Sequence, residues 1–284
     1  MADGGSTKAA SIALRVVIYA LFGLGGLIVF AWAFSLADGY LVASALSVFL
    51  AAATANALTM RIFERAGLAD IGLLWNASSV RNLLVGLAGG TGAACVVLVS
   101  PLIFRIAEFE AVPGSDAPWR TLLFVTVVLV FGAAGEEMLF RGYGFQVLVD
   151  KLGPFATILP VSVLFAVAHS RNLNVSPLGL LNTMLWGVLL GWSVIRSGDL
   201  WLPIGIHLGW NWALPLFGVN LSGFTIGITG YAMRWNVGPF WSGGAYGPEG
   251  GILTTVVLAA LAIYLRKAPI RRQNAFLLRS LRED

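Results

Sequence analysis

Charge-poor stretches of about twenty apolar residues recur along this chain, each close to the length that crosses the hydrocarbon core of a bilayer. In lipid every backbone N–H and C=O must be satisfied within the protein, so such segments fold as helices. Spans are expected at 14–36, 40–59, 83–104, 121–149, 155–169, 178–195, 202–217 and 252–265, the later ones interrupted by Gly and Pro. Only 11% of the residues are charged, against about 25% in soluble domains. No polar stretch approaches domain size. The fold expected is all-α: a polytopic transmembrane helix bundle of about eight spans.

With eight spans both termini share a side. Of the 18 lysines and arginines, Arg105, Arg120, Arg171 and Arg234 fall on the other side, leaving 14 with the termini. Basic loops stay cytoplasmic, so cytoplasmic termini are expected. The net charge of +4 then reflects topology and contact with anionic lipid, and no nucleic-acid partner is expected. Without organelle signals, the chain reads as a multi-pass protein of a bacterial inner membrane. Ser35-Leu-Ala37 looks like a leader cleavage site, but the apolar stretch before it is too long for one, so an uncleaved anchor is expected. Cys95 is the only cysteine, which rules out an intrachain disulfide or a thiolate cluster.

Four regions follow. Residues 1–81 hold two spans and, at 60–75, an amphipathic pattern (Ile62, Phe63, Leu68, Ile71, Leu73) expected to form a helix at the cytoplasmic interface. Residues 82–119 hold the third span and an external loop with Glu108, Glu110 and Asp116. Residues 120–218 form the core of the chemistry. Residues 219–284 comprise a loop rich in glycine and aromatics, the last span and a basic cytoplasmic tail. The loop at 219–251 is so apolar that it is expected to fold back onto the bundle. Gly86-x-x-x-Gly90 and Gly187-x-x-x-Gly191 permit close helix approach. No internal repeat is evident, which weighs against a transporter built of duplicated halves.

Glu136 and Glu137 adjoin in a segment that otherwise reads as buried in the membrane. A charge at the centre of a lipid-facing helix costs roughly 3 kcal/mol or more, so such residues face a protein interior or a wet cavity. Both histidines of the chain, His169 and His207, also lie in apolar segments. Glu137 and Arg141, Phe165 and His169, and His207 and Asn211 are each spaced i, i+4, which stacks each pair on one helical face. With a turn near Gly153-Pro154, Glu136 and His169 stand at nearly equal height on antiparallel helices. That estimate requires the fourth span to run as one helix past Arg141. His207 starts close to the Ser197-Gly198 turn, so its helix must begin deeper or tilt.

The set suits peptide hydrolysis. With Glu137 paired to Arg141, Glu136 is the carboxylate left to act as general base toward water. The histidines would position that water or donate to the leaving group, and the Asn211 amide would donate to a tetrahedral oxyanion. A structural ion pair with two satisfied histidines explains any single piece better, but not the three together. Other chemistries fit less well: His-Glu-x-x-His is absent, Ser193 sits in a lone Gly-x-Ser, and Asp199 has no second intramembrane aspartate.

At these residues the chain resembles the CPBP family of CAAX proteases and bacteriocin-processing, Abi-like membrane proteins. Its Glu-Glu-x-x-x-Arg, Phe-x-x-x-His and His-x-x-x-Asn/Asp motifs match Glu136, Glu137 and Arg141, then Phe165 and His169, then His207 and Asn211, in order and without departure. The Gly-Pro-Glu-Gly loop at 247–250 also resembles bacterial members. The resemblance implies an intramembrane endopeptidase with Glu136, His169, His207 and Asn211 catalytic and Glu137, Arg141 and Phe165 in support. Its substrate would be a membrane-associated protein or peptide met in the lipid bilayer. The family has been assigned both metalloprotease and metal-independent glutamate mechanisms. Glu136, His169 and His207 are candidate ligands for zinc, but an Asn amide is an unusual zinc ligand. Chemistry with no required cofactor is therefore favoured, with zinc the alternative. Eukaryotic relatives cleave prenylated C-terminal tripeptides; a prenyl substrate is not expected here. The competing function is a non-catalytic immunity or scaffold protein.

Overall fold

The computed structural model describes residues 3–35, 39–112 and 119–278, so Asp116, the Leu36-Ala37 pair and the terminal Arg279 and Arg282 lie outside the described residues. The helices are α1 (Asp3–Phe34), α2 (Tyr40–Thr59), α3 (Ala77–Ile103), α4 (Trp119–Arg141), α5 (Tyr143–Leu152), α6 (Pro154–Ala168), α7 (Pro177–Ser197), α8 (Trp201–Leu216), the one-turn α9 (Pro239–Ser242) and α10 (Ile252–Lys267). Among the described residues, five stretches are long and apolar enough to cross a membrane: Ser11–Phe34, Tyr40–Glu64, Ala77–Ile103, Trp119–Leu152 and Pro177–Ser197. The apolar helices α6, α8 and α10 are shorter, at 15, 16 and 16 residues. The chain is a helical, multi-pass membrane protein. Large apolar side chains along α1, among them Leu21, Leu24, Ile28 and Trp32, face outward, as lipid contact requires.

The tightest helix pair is α3 against α8, and glycine makes it so. A Cβ on Gly86 would lie 2.4 Å from the Leu202 carbonyl oxygen, and one on Gly90 would lie 2.0 Å from that of Ile206. The approach is reciprocal: Gly205 and Gly209 bear in the same way on the carbonyls of Leu83 and Leu87. Two small-x-x-x-small faces therefore meet backbone to backbone, the arrangement through which helices associate in lipid. Gly90→Ala should lower stability by about 1–3 kcal/mol or more, seen as a reduced Tm in detergent. An unchanged Tm would mean that α8 shifts away from α3 without cost.

Two sequence expectations are corrected. The fourth span does not run as one helix: it breaks at Gly142 into α4 and α5. Tyr143 N–H donates not to the preceding turn but to Asn56 Oδ1 (2.7 Å). The Leu139 carbonyl accepts instead from Tyr19 Oη (2.8 Å), and Asn56 Nδ2 donates to Met138 O (3.0 Å). A side chain at 142 would collide with Asn56, since a Cβ there would lie 2.2 Å from its Oδ1. The break is thus an inserted polar side chain rather than a loose joint.

Residues 60–75 do not form one interfacial helix either. A π-turn (Met60–Glu64) closes α2, Arg65 takes a left-handed conformation, and a 3-10 turn (Leu68–Ile71) follows. Ile71 is fully buried, and its carbonyl accepts from Gln146 Nε2 (2.9 Å). Gly72 (φ +94°) lies too close to the Asp199 backbone for any side chain. Phe63, Leu68 and Leu73 pack against the same core, whereas Ile62 stays exposed.

Finally, the bundle carries a small sheet. β1 (Ala107–Ala111) pairs antiparallel with β2 (Tyr231–Trp235), and Arg234 bridges Glu108 and Glu110 on its surface.

Candidate active site

Glu137 and Arg141, on the last turns of α4, are both fully buried. They pair at 3.2 Å, and Arg141 Nη2 reaches the Gly187 carbonyl on α7 at 3.4 Å. The guanidinium lies over the Phe165 ring, 4.4 Å from its centroid. The opposite side of this contact network is histidine: the Phe165 ring also packs on His169 (4.5 Å) and meets His207 edge-on (6.4 Å). Phe165 is therefore the shared wall of all three motifs, which the i, i+4 spacing alone did not predict.

The two histidines are oriented through Nδ1. In His169 it lies 2.8 Å from the Phe165 carbonyl oxygen, and in His207 it lies 2.8 Å from Glu137 Oε1. Both partners are acceptors, so each Nδ1 carries the proton and each Nε2 is left for other work. Both Nε2 atoms approach one atom, Glu136 Oε2, at 3.7 and 3.9 Å. That oxygen finds no hydrogen-bond partner among the described residues. Glu136 keeps 28% of its side chain exposed while Glu137 keeps none. The adjoining carboxylates are thus in different situations: one is locked to Arg141 and His207, the other is open to a cavity.

The cavity has a volume of about 1120 Å³ and is lined by Glu136, His169, His207 and Asn211 together. The structure thus gathers all four residues on one space and places Glu137, Arg141 and Phe165 behind them. The depth concern over His207 does not arise in the structure, because α8 is pulled against α3 and its histidine stands level with Glu136. Sequence reading assigned Glu137 only to Arg141 and missed its hold on His207. It also passed over Glu249, which lines the same cavity. The signal was available: Glu249 and Arg234 are the only charged residues between 219 and 251.

Glu136, His169 and His207 are the donors on which a metal would draw. Among the described residues, no three His, Cys, Asp or Glu side chains close on a common metal position. No step below is routed through a metal.

Residues 118–213 match the family described as Type II CAAX prenyl endopeptidase Rce1-like. An Escherichia coli protein described as "Uncharacterized 24.3 kDa protein" is 27% identical over 147 residues, which cover 50% of this chain and 62% of that relative. The chain therefore spans less than two thirds of the length of this curated relative. The matched segment carries Glu136, His169, His207 and Asn211, so the part of the chain that lines the cavity is the part similar to the Rce1-like CAAX endopeptidases.

Proposed function

We propose that this protein is an intramembrane endopeptidase that hydrolyses a peptide bond of a membrane-associated protein or peptide with water activated by Glu136. One observation carries the reading: Glu136 lines the cavity part-exposed, and the Nε2 atoms of two oriented histidines turn toward its partnerless carboxylate oxygen.

The residues divide the work as follows. A water between Glu136 Oε2 and the imidazoles gives its proton to Glu136 as its oxygen attacks the carbonyl carbon. His169 and His207 hold that water through Nε2. The Glu137 carboxylate holds His207 through Nδ1, and the proton taken up by Glu136 passes by way of His207 Nε2 to the departing amide nitrogen. Asn211, one turn beyond His207, supplies an amide N–H to the oxyanion. Arg141 and His207 occupy Glu137, so that Glu136 is the group free to accept the proton. Enclosure by apolar walls strengthens each of these interactions.

The test is a comparison of membrane proteomes from cells carrying wild-type protein or Glu136→Gln. Fragments that end at one shared sequence and vanish in the variant identify the substrate. A variant that keeps the full biological effect would assign the chain to the immunity or scaffold class instead.

The same reading includes eight spans with cytoplasmic termini in a bacterial inner membrane, α6, α8 and α10 completing the five longer segments. Reporter fusions after Lys151 and after Asp284 should report cytoplasm, and one near Asp116 the outside. An external C-terminus would break the eight-span arrangement.

A further inference from the structure

A second concavity lies on the flank of the bundle, in the groove between α3 and α10, and shares no lining residue with the cavity above. It has a volume of about 430 Å³. On α3 it is lined by Ala77, Val80, Leu84 and Ala88, an exposed apolar stripe at helical spacing. Tyr264 of α10 forms the facing wall. Its Oη donates to the Val85 carbonyl (3.2 Å), and its ring lies over Gly89, where a Cβ would come within 2.8 Å of Cε1. From Ala77 to Ala88 the stripe runs about 16 Å. That is the depth of one leaflet in a hydrocarbon core about 30 Å thick.

One end of the groove is basic. Arg81 lines it, and its Nε donates to the Pro269 carbonyl on the far side (2.7 Å). That bond holds the guanidinium at the mouth and leaves both Nη groups without an acceptor among the described residues. Arg266 and Lys267 close α10 just before Pro269. Arg271 is fastened beside Arg81: its N–H donates to Asn82 Oδ1 (2.8 Å) and its carbonyl accepts from Asn82 Nδ2 (2.7 Å). Arg272 follows it. Among the described residues none of these cations forms an ion pair. Asp199, the carboxylate of this network, is buried and taken by Asn82 and Gln273. The same end lies at headgroup depth, which tryptophan favours: Trp75, two residues before α3, is exposed and packs edge-on against Trp201 (4.6 Å).

We propose that this groove binds one anionic phospholipid, its phosphate on the open Nη groups of Arg81 and an acyl chain along Val80, Leu84 and Ala88. Charge complementarity selects the occupant. An anionic headgroup meets an unpaired guanidinium whose planar fork suits phosphate oxygens, with further cations around it. A zwitterionic headgroup brings a cation of its own to the same rim. The lipid ties α10 and the tail behind it to α3, the helix whose Gly86 and Gly90 seat α8 and with it His207 and Asn211. The site is independent of the chemistry proposed for the cavity.

Native mass spectrometry of the detergent-purified protein, titrated with dioleoylphosphatidylglycerol or dioleoylphosphatidylcholine, tests it. Wild-type protein should hold one phosphatidylglycerol at least about 10-fold more tightly than phosphatidylcholine. Arg81→Gln should weaken phosphatidylglycerol binding about 5-fold or more, the worth of one cation beside an anionic headgroup. Ala88→Phe, which fills the apolar floor without changing charge, should weaken it as well. Arg120→Gln makes the same charge change on α4, which does not line the groove, and should leave binding within about 2-fold because distant surface charges are screened. Equal affinity for the two lipids, no effect of Arg81→Gln or of Ala88→Phe, or an equal effect of Arg120→Gln overturns the proposal. So does a lipid-free dimer that Ala88→Phe abolishes, which would assign the groove to a second copy of the chain. If Arg81→Gln does not accumulate, Ala88→Phe against Arg120→Gln decides.

Discussion

Glutamine at position 136 should reduce turnover of the identified substrate by about 10²–10⁴-fold, the range that a general base contributes, with accumulation and Tm held near wild type. The amide keeps the shape of the side chain but cannot take a proton from water. Little structure depends on the group removed, because Glu136 Oε2 has no hydrogen-bond partner among the described residues and the side chain is part-exposed to the cavity. Hydrolysis at the wild-type rate in purified Glu136→Gln protein would move the base elsewhere in the site.

Changes at Glu137 and Arg141 should show the opposite pattern. Each is wholly buried, so Glu137→Gln or Arg141→Met alone strands a charge and should cost about 3–5 kcal/mol. The double variant, which removes both charges, should recover a large share of that loss in Tm. It should not recover turnover, because His207 Nδ1 still lacks the carboxylate that orients it at 2.8 Å. Two single losses that simply add in the double variant would show that the pair is not coupled, and a double variant with restored turnover would remove Glu137 from the positioning of His207.

The sequence made some of this legible and hid the rest for definable reasons. Spacings of four residues put Glu137 under Arg141 and Phe165 under His169, because helical periodicity needs no knowledge of tertiary structure. The equal height of Glu136 and His169 also followed from residue counts, although the helix assumed for that estimate is in fact broken. The break depends on Asn56 and Tyr19, far earlier in the chain, and nothing beside Gly142 announced them. The same holds for His207 on Glu137, a contact between helices seventy residues apart. Gly86 and Gly90 were readable as a close-packing face, while their counterpart, Gly205 and Gly209, was not picked out. At 60–75 the apolar pattern was real, but periodicity cannot tell a lipid-facing stripe from one covered by Gln146 and the Asp199 turn.

The polar plug at Gly142 has a bearing on how the molecule is made. The 34-residue stretch Trp119–Leu152 carries a backbone N–H and a carbonyl that its own helix leaves unpaired, a costly state in hydrocarbon. Their partners, Asn56 and Tyr19, belong to α2 and α1, which leave the ribosome before α4 and α5 do. Synthesis from the N-terminus therefore delivers the cap before the break that needs it.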